Sequence, residues 1–174
     1  MELVRYVAKV HSRNLNIRPV GDLQRGERGF RQDLWEKWKR EALEDKNSLI
    51  IGMGDYSDRF RTTVDKKLIH AVSEDRSAWS ELDELLMKEM QELAEELKPF
   101  RHRIIGLHCG HHHHQMVYGG CTCQYLCQLL RVRHLGFVAL IQLIFSRQKG
   151  GGTKPEGHKI DIFSTHGCGG ASNT

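Results

Sequence analysis

The sequence contains no apolar run long enough to cross a lipid bilayer. The best candidate, residues 135–145, is interrupted by Gln142 and falls short of the ~20 residues that a transmembrane helix needs. The N-terminus, which reads MELVRYVAKVHSR, lacks the apolar core of a signal peptide. Both absences argue against membrane insertion and secretion, so we expect a cytoplasmic protein without a membrane partner.

Cysteine is scarce, and its count is odd. The five cysteines are Cys109, Cys121, Cys123, Cys127 and Cys168. Disulfide frameworks pair an even number of cysteines in oxidising compartments, so we expect reduced thiols here. Three of them form a Cys-x-Cys-x-x-x-Cys pattern near a histidine run, but this is not a standard spacing for structural zinc. Buried free thiols are the simpler interpretation.

A strong charge of either sign is also missing. Lys and Arg number 26 against 22 Asp and Glu, which gives a formal net charge of +4. This basic excess is too small to indicate nucleic-acid binding by itself, but it suits an anionic substrate. The 174 residues, 39% of them apolar, suit a single domain with a buried core.

Short apolar runs alternate with helical patterns, which predicts the α/β class with a sheet at its core. The predicted helices cover residues 30–45, 77–98 and 125–132, and Pro99 should end the second because proline cannot continue a helix. The predicted strands cover residues 7–20, 48–53, 103–107, 136–145 and 159–163. The first of these strands has the weakest signal.

Four polar clusters follow predicted strands. They are Gly21-Asp22-Leu23-Gln24, Gly54-Asp55-Tyr56-Ser57-Asp58-Arg59, Gly110-His111-His112-His113 and Thr165-His166-Gly167. In open α/β sheets, ligands bind at the carboxyl ends of the strands. We therefore expect the four clusters to converge on one site.

Carboxylates and imidazoles at such a site suit phosphate-ester hydrolysis. Two divalent ions about 3.5–4 Å apart can neutralise the phosphate and generate a nucleophile from water. One carboxylate must bridge the ions, and a separate acid must protonate the leaving oxygen. Asp22, Asp55, His111 and His166 can supply metal ligands, and His112 can supply the acid.

The clusters resemble the motifs of calcineurin-like metallophosphoesterases. Residues 54–59 resemble the family's Gly-Asp-x-x-Asp-Arg motif, and residues 110–112 resemble its Gly-Asn-His-Glu/Asp motif. Asp22 and Gln24 stand where the family has Asp-x-His, and His166 stands where it has a lone metal-binding histidine. The order agrees over nearly the whole chain, and residues 125–130 are similar to phage and prophage members.

This resemblance implies a fold and a reaction. The fold would be two packed mixed β-sheets flanked by helices, an αββα sandwich in one domain over residues 1–174. The reaction would be hydrolysis of phosphate mono- or diesters by a metal-bound hydroxide at two divalent ions, either manganese, iron or zinc. The partner would be a phosphate-ester substrate, with nucleotides and nucleic acid among the candidates.

The metal ligands that the resemblance implies are Asp22, Gln24, Asp55, His111 and His166. Asp55 would bridge both ions, Asp22 and Gln24 would bind the first, and His111 and His166 would bind the second. Two positions depart from the family pattern. Gln24 replaces a histidine and is a poorer ligand for a transition metal. His111 replaces an asparagine, and it is longer but still able to bind a metal.

The catalytic residues that the resemblance implies are His112, Asp58 and Arg59. His112 would be the acid or would stabilise the transferring phosphoryl group, and Asp58 would orient it by a hydrogen bond. Arg59 would contact phosphate or brace the loop. The family's final Gly-His-x-His motif is not found after His166, so we expect that the chain is cut short and that the first metal is held more weakly.

Two other functions fit the sequence. One is an inactive relic of the phosphoesterase fold that has lost metal ligands, as Gln24 and the missing motif suggest. The other is a small zinc- or nucleic-acid-binding module built on the His/Cys region. Metal content separates the three: two ions favour the enzyme, one tetrahedral zinc favours the module, and none favours the relic.

Overall fold

The computed structural model describes residues 1–9, 14–58, 76–117, 119–147 and 156–167. The strands in these ranges are β1 (Glu2–Lys9), β2 (Asn16–Gly21), β3 (Ser48–Gly54), β4 (Ile104–Leu107), β5 (Arg133–His134), β6 (Val138–Arg147) and β7 (Glu156–Thr165). The α-helices are α1 (Gln32–Glu44), α2 (Arg76–Leu97) and α3 (Thr122–Leu130). A 3₁₀-helix at Lys98–Arg103 follows α2. Pro99 lies in its first turn, so α2 ends where the sequence predicts.

The strands form two sheets, which confirms the predicted α/β class. Strands β2, β3, β4 and β5 pair in that order, and every pairing is parallel. Strands β1, β6 and β7 form a mixed sheet in which β1 and β6 are parallel and β6 and β7 are antiparallel. Both sheets were expected to be mixed. Over the described residues, however, the four-stranded sheet is entirely parallel, and only the three-stranded sheet is mixed.

The parallel sheet is covered on both faces, which explains why its strands are apolar runs without alternation. Leu49 and Ile51 of β3 pack with Val4, Ile141 and other residues of the three-stranded sheet. Ile50 points the opposite way and packs in a second core with residues of the three helices. Successive side chains of a strand point to opposite faces, so one short strand contributes to both cores.

The prediction of one extended segment over residues 7–20 is wrong. The chain forms β1 and β2 instead, and these belong to different sheets. Strand β1 pairs with β6, far away in sequence, whereas β2 pairs with β3. The local sequence predicts extended structure for both strands but does not say which sheet each strand joins. That assignment depends on the pairing with strands elsewhere in the chain.

The outer face of the three-stranded sheet exposes large apolar side chains to solvent over the described residues. Leu3, Val7 and Phe163 are 58%, 57% and 64% exposed. The described helices all contribute to the core on the other side of the molecule, so these ranges show three layers rather than the four of the expected sandwich. No helix within the described ranges is long and apolar enough to cross a membrane.

A partly buried carboxylate joins the loop after β2 and helix α1 to helix α2. Glu96 of α2 accepts hydrogen bonds from Arg25 Nη1 at 2.6 Å, Trp35 Nε1 at 2.5 Å and Lys39 Nζ at 2.8 Å. Burial alone disfavours the carboxylate, but these three donors more than offset it and lower the pKa of Glu96 to about 2. The ionised form of Glu96 therefore stabilises the fold.

Replacing this carboxylate should destabilise the protein in a pH-dependent way. Glu96→Gln should lower the free energy of unfolding by about 1–3 kcal/mol at pH 7, because charge-assisted bonds are lost in a partly buried place. The native pKa is depressed, so the contribution is complete above the ordinary value of 4.5 and is lost as the pH falls towards about 2. Urea unfolding of both proteins at pH 7 and pH 3 measures this.

The matched control is Glu95→Gln on the same helix. Glu95 pairs with Lys98 at 2.9 Å, but the two side chains are 71% and 59% exposed, so its removal should change stability little. An equal loss in both variants, or a difference that does not narrow at low pH, would contradict the role given to Glu96.

Candidate functional site

The carboxyl ends of β2, β3 and β4 meet at one edge of the parallel sheet, and the loops that follow are bonded to one another. Asp22 N–H donates to Gly54 O at 2.9 Å, and Gln24 N–H donates to Asp55 O at 3.0 Å. Asp22, Gln24 and Asp55 have φ values of 48°, 49° and 50°. Non-glycine residues rarely adopt this left-handed backbone, and such conformations are common at functional sites.

Two glycines let three loops approach closely around Asp55. A Cβ atom on Gly110 would overlap the carboxylate and backbone nitrogen of Asp55. A Cβ atom on Gly54, whose φ is +99°, would lie 2.7 Å from both His166 Nδ1 and Gly110 N. The backbone therefore passes close to the metal-ligand candidates, where no other residue fits.

Adding a methyl group at position 110 should disturb the site. Gly110→Ala should destabilise the protein by about 1–3 kcal/mol, because the overlap with Asp55 forces a backbone shift. It should also weaken metal binding, since the displaced group is a candidate ligand. Gly29→Ala is the control, because a Cβ there meets nothing within 4 Å. Thermal unfolding and metal titration of both variants test this, and equal behaviour would contradict the close approach.

Asp55, His111 and His166 bring three ligand atoms together. His166 Nε2 lies 2.8 Å from His111 Nδ1 and 3.2 Å from Asp55 Oδ2, and His111 Nδ1 lies 3.9 Å from Asp55 Oδ2. Two ligands of one ion lie roughly 2.9–3.5 Å apart when each is about 2.1 Å from it. The separations of 2.8 and 3.2 Å lie close to this range and the third is wider, and the three atoms form one of two groups in the described residues that could hold a metal ion.

Neighbouring hydrogen bonds fix which atoms of His166 and Asp55 face this group. His166 Nδ1 lies 2.5 Å from Met53 O, a carbonyl that can only accept, so Nδ1 carries the proton and Nε2 is a bare acceptor in the neutral ring. Asp55 Oδ1 accepts from His112 N–H at 3.0 Å, which leaves Oδ2 for the group. Two unprotonated acceptors, Asp55 Oδ2 and His166 Nε2, therefore face the same point, and a cation there would contact both, so the residues fit a bound metal.

The group is buried on one side and open on the other. The side chains of Asp55 and His166 are 5% and 4% exposed, whereas His111 is 53% exposed. A cation held here would have protein behind it and solvent in front. A site with three protein ligands and an open side is typical of catalytic rather than structural metal centres.

His112 and Asp58 lie together beside the group. His112 Nδ1 is 2.8 Å from Asp58 Oδ1, and the Asp58 side chain is fully buried. The contact is close, but the ring nitrogen is not aligned with the oxygen as in a good hydrogen bond. The His112 side chain is 18% exposed, so the ring reaches the surface near Asp55. Arg59 lies outside the described residues.

Asp22 and Gln24 do not join the metal-ligand group in the described part of the chain. Their backbones lie beside Gly54 and Asp55, but both residues line a neighbouring open pocket of about 360 Å³ together with Trp35 and Trp38 of α1. The structure thus brings together Asp55, His111 and His166, the three residues expected to bind the second metal. Asp22 and Gln24, which were expected to bind only the first metal, lie at the edge of the site.

A second group of side chains that could hold a metal ion was not found from the sequence. Cys109, Cys123 and His134 place their ligand atoms within 4.8 Å of one another. Hydrogen bonds with Cys121 and Cys123 hold the pKa of the Cys109 thiol well below its usual range. The prediction of buried free thiols is correct for the four described cysteines. The group around Cys109 could not be recognised from the spacing of cysteines and histidines along the sequence.

Comparison with protein-family models, with curated proteins and with solved structures found no match to this chain.

Proposed function

We propose that this protein hydrolyses phosphate esters with the help of divalent metal bound by Asp55, His111 and His166. The single observation that supports this best is the convergence of these three side chains from three strand ends, with their acceptor atoms 2.8–3.9 Å apart. Carboxylate oxygen and imidazole nitrogen together suit manganese, iron or zinc. Bound metal would neutralise phosphate charge and acidify a coordinated water.

Each residue of the group has a distinct task. Asp55 supplies the only charge among the three ligands, and the backbone N–H of His112 holds its other oxygen in place. His166 is oriented by Met53 O, which fixes the ring nitrogen that faces the site. His111 is the exposed member and bounds the side from which a substrate arrives.

His112 would act as the general acid for the leaving oxygen. Its ring lies next to the group and is accessible, so a phosphate ester held there is within its reach. Asp58, buried beside Nδ1, favours the ring tautomer that has a proton on that nitrogen. This arrangement leaves Nε2 as the atom that donates to the substrate.

The proposal also includes the first metal of the expected pair. Asp55 would be shared by both ions, and on the side of Asp55 away from His111 and His166 this first ion would be bound by Asp22 and Gln24. Their loop is bonded to the Asp55 loop through the backbone, which supports this position. The first ion has one carboxylate of its own and a neutral amide, so we expect it to bind more weakly than the ion at His111 and His166. Weak occupancy would limit turnover, because the two-ion clamp needs both.

Hydrolysis of generic aryl phosphate mono- and diesters tests the proposal. The purified chain, stripped of metal and then supplied with Mn²⁺, should release the aryl alcohol at a rate that rises with metal and falls to background with a chelator. Mass spectrometry of metals should find one tightly bound manganese ion per chain and a second only at higher manganese concentration. Tight binding without turnover would favour an inactive relic, and absence of binding would contradict the proposal.

A further inference from the structure

The thiols around Cys109 form a cluster of a different chemical kind from the carboxylate-histidine group. Cys109, Cys121 and Cys123 are 3%, 6% and 3% exposed, and none of them forms a disulfide. Cys109 Sγ lies 3.6 Å from Cys121 Sγ. Sulfur ligands of one tetrahedral zinc ion lie roughly 3.8 Å apart when each Zn–S bond is about 2.3 Å.

His134 brings a nitrogen to the same place. Strand β5 pairs with β4 so that His134 is opposite Leu107, and Cys109 N–H donates to Gly136 O at 2.9 Å. The ligand atoms of Cys109, Cys123 and His134 lie within 4.8 Å of one another. His134 Nε2 is buried and has no hydrogen-bond partner in the described part of the chain. A buried ring nitrogen without a partner is costly, and a metal ion would satisfy it.

Helix α3 presents the other two sulfurs. Cys121 caps its N-terminus and Cys123 lies in its first turn, where the helix dipole favours thiolates. Cys121 N–H donates to Gln124 Oε1 at 3.1 Å, which fixes the cap. The Cys123 thiol lies 3.2 Å from His108 O, to which it donates while it is protonated. Thiolate and imidazole ligands in a buried site with no open position suit zinc.

We propose that Cys109, Cys121, Cys123 and His134 bind a structural zinc ion. The ion would tie together the loop after β4, the start of α3 and strand β5. The first of these segments continues directly into His111 and His112, so zinc would brace the loop that carries them. Zinc displaces the thiol protons when it binds, so its affinity increases with pH. The site shares no ligand with Asp55, His111 and His166 and does not depend on the proposed phosphoesterase function.

Cobalt substitution in the reduced, metal-free full-length chain tests the site. One equivalent of Co²⁺ should produce thiolate-to-cobalt charge-transfer absorption and the intense visible bands of tetrahedral cobalt, and one equivalent of Zn²⁺ should bleach both. These bands should persist in Asp55→Asn, which removes the other group. The result is therefore independent of the phosphoesterase proposal.

Single substitutions assign the ligands. Cys123→Ser and His134→Gln should each weaken cobalt binding by at least about 100-fold, more than changes next to a metal ligand usually cost. Cys127→Ser is the matched control, because Cys127 is buried on α3 next to Cys123 but is not part of the group of ligand atoms, and its sulfur contacts Arg133 O at 3.7 Å. Cys168→Ser controls for the cysteine outside the described residues. Both controls should keep the bands.

The wild-type spectrum decides the question even where a variant does not fold. Absence of thiolate-to-cobalt absorption in the reduced wild-type chain would overturn the proposal. So would bands that survive both Cys123→Ser and His134→Gln in folded protein, as judged by circular dichroism. X-ray absorption of the zinc-loaded chain should show sulfur neighbours at about 2.3 Å, and a shell of oxygen and nitrogen alone would also refute the site.

Discussion

Asp55→Asn should abolish hydrolysis of an aryl phosphate ester and remove most of the tightly bound manganese. The substitution keeps the size of the side chain and an oxygen that can still accept from His112 N–H, so the loop should stay in place. It removes the only negative charge among the three converging ligands. Metal contributes several kcal/mol to such a transition state, so the rate should fall by at least about 10³-fold.

Asp161→Asn is the control for this experiment. Asp161 lies on β7, half-exposed, and contacts Lys159 and Gln142 rather than any candidate ligand. Its replacement should leave metal content and turnover unchanged. Manganese content that is equal in wild-type protein and Asp55→Asn would mean that Asp55 is not a ligand.

His112→Ala should leave the metal nearly intact but slow turnover by about 10²–10⁴-fold, which is the usual contribution of a general acid. The loss should shrink for an aryl ester with a good leaving group, because that oxygen departs without a proton. Initial rates across a series of phenols with different pKa values measure this dependence. His102→Ala, at an exposed position of the 3₁₀-helix, should behave like wild type.

Other outcomes would give His112 a different role. Equal losses for good and poor leaving groups would show that the ring binds the phosphoryl group instead of donating a proton. Loss of metal from His112→Ala would make the residue a ligand. Asp58, which lies 2.8 Å from Nδ1, would then orient a ligand rather than an acid.

The elements with strong local signals were predictable from sequence. Strand β3 is a short apolar run that ends at Gly54-Asp55, and the structure places both the strand and the turn as expected. Helix α2 has apolar residues at helical spacing and a proline just past its end, so its limits could be inferred within a residue or two. The assignment of β1 and β2 to different sheets could not be inferred, because it depends on pairing with strands far along the chain.

Part of the candidate site was also predictable. The ends of parallel strands share one edge of a sheet, and this rule correctly brings the loops of Asp22, Asp55 and His111 together. It does not say which way each side chain points, and Asp22 stays out of the ligand group in the described residues. His166 follows a strand of the other sheet, and its approach to Asp55 depends on how the two sheets pack.

The thiol cluster had no usable sequence signature. Cys121 and Cys123 stand out in the sequence as a close pair, but the nearest cysteine that follows them is Cys127, which is not part of the group of ligand atoms. The actual neighbours are Cys109, which follows β4, and His134 on a strand of two residues. The parallel pairing of β4 and β5 brings Cys109 and His134 together. No known spacing of metal ligands along a sequence predicts this pair.

The location of Mn²⁺ in crystals of the wild-type chain tests the central claim most directly. Anomalous diffraction should show a peak about 2.0–2.3 Å from Asp55 Oδ2, His111 Nδ1 and His166 Nε2, the three atoms that converge in the structure. A weaker peak on the Asp22 side of Asp55 would mark the first metal, the ion that we expect to bind more weakly. Manganese bound elsewhere, with these three side chains bonded only to one another, would contradict the account.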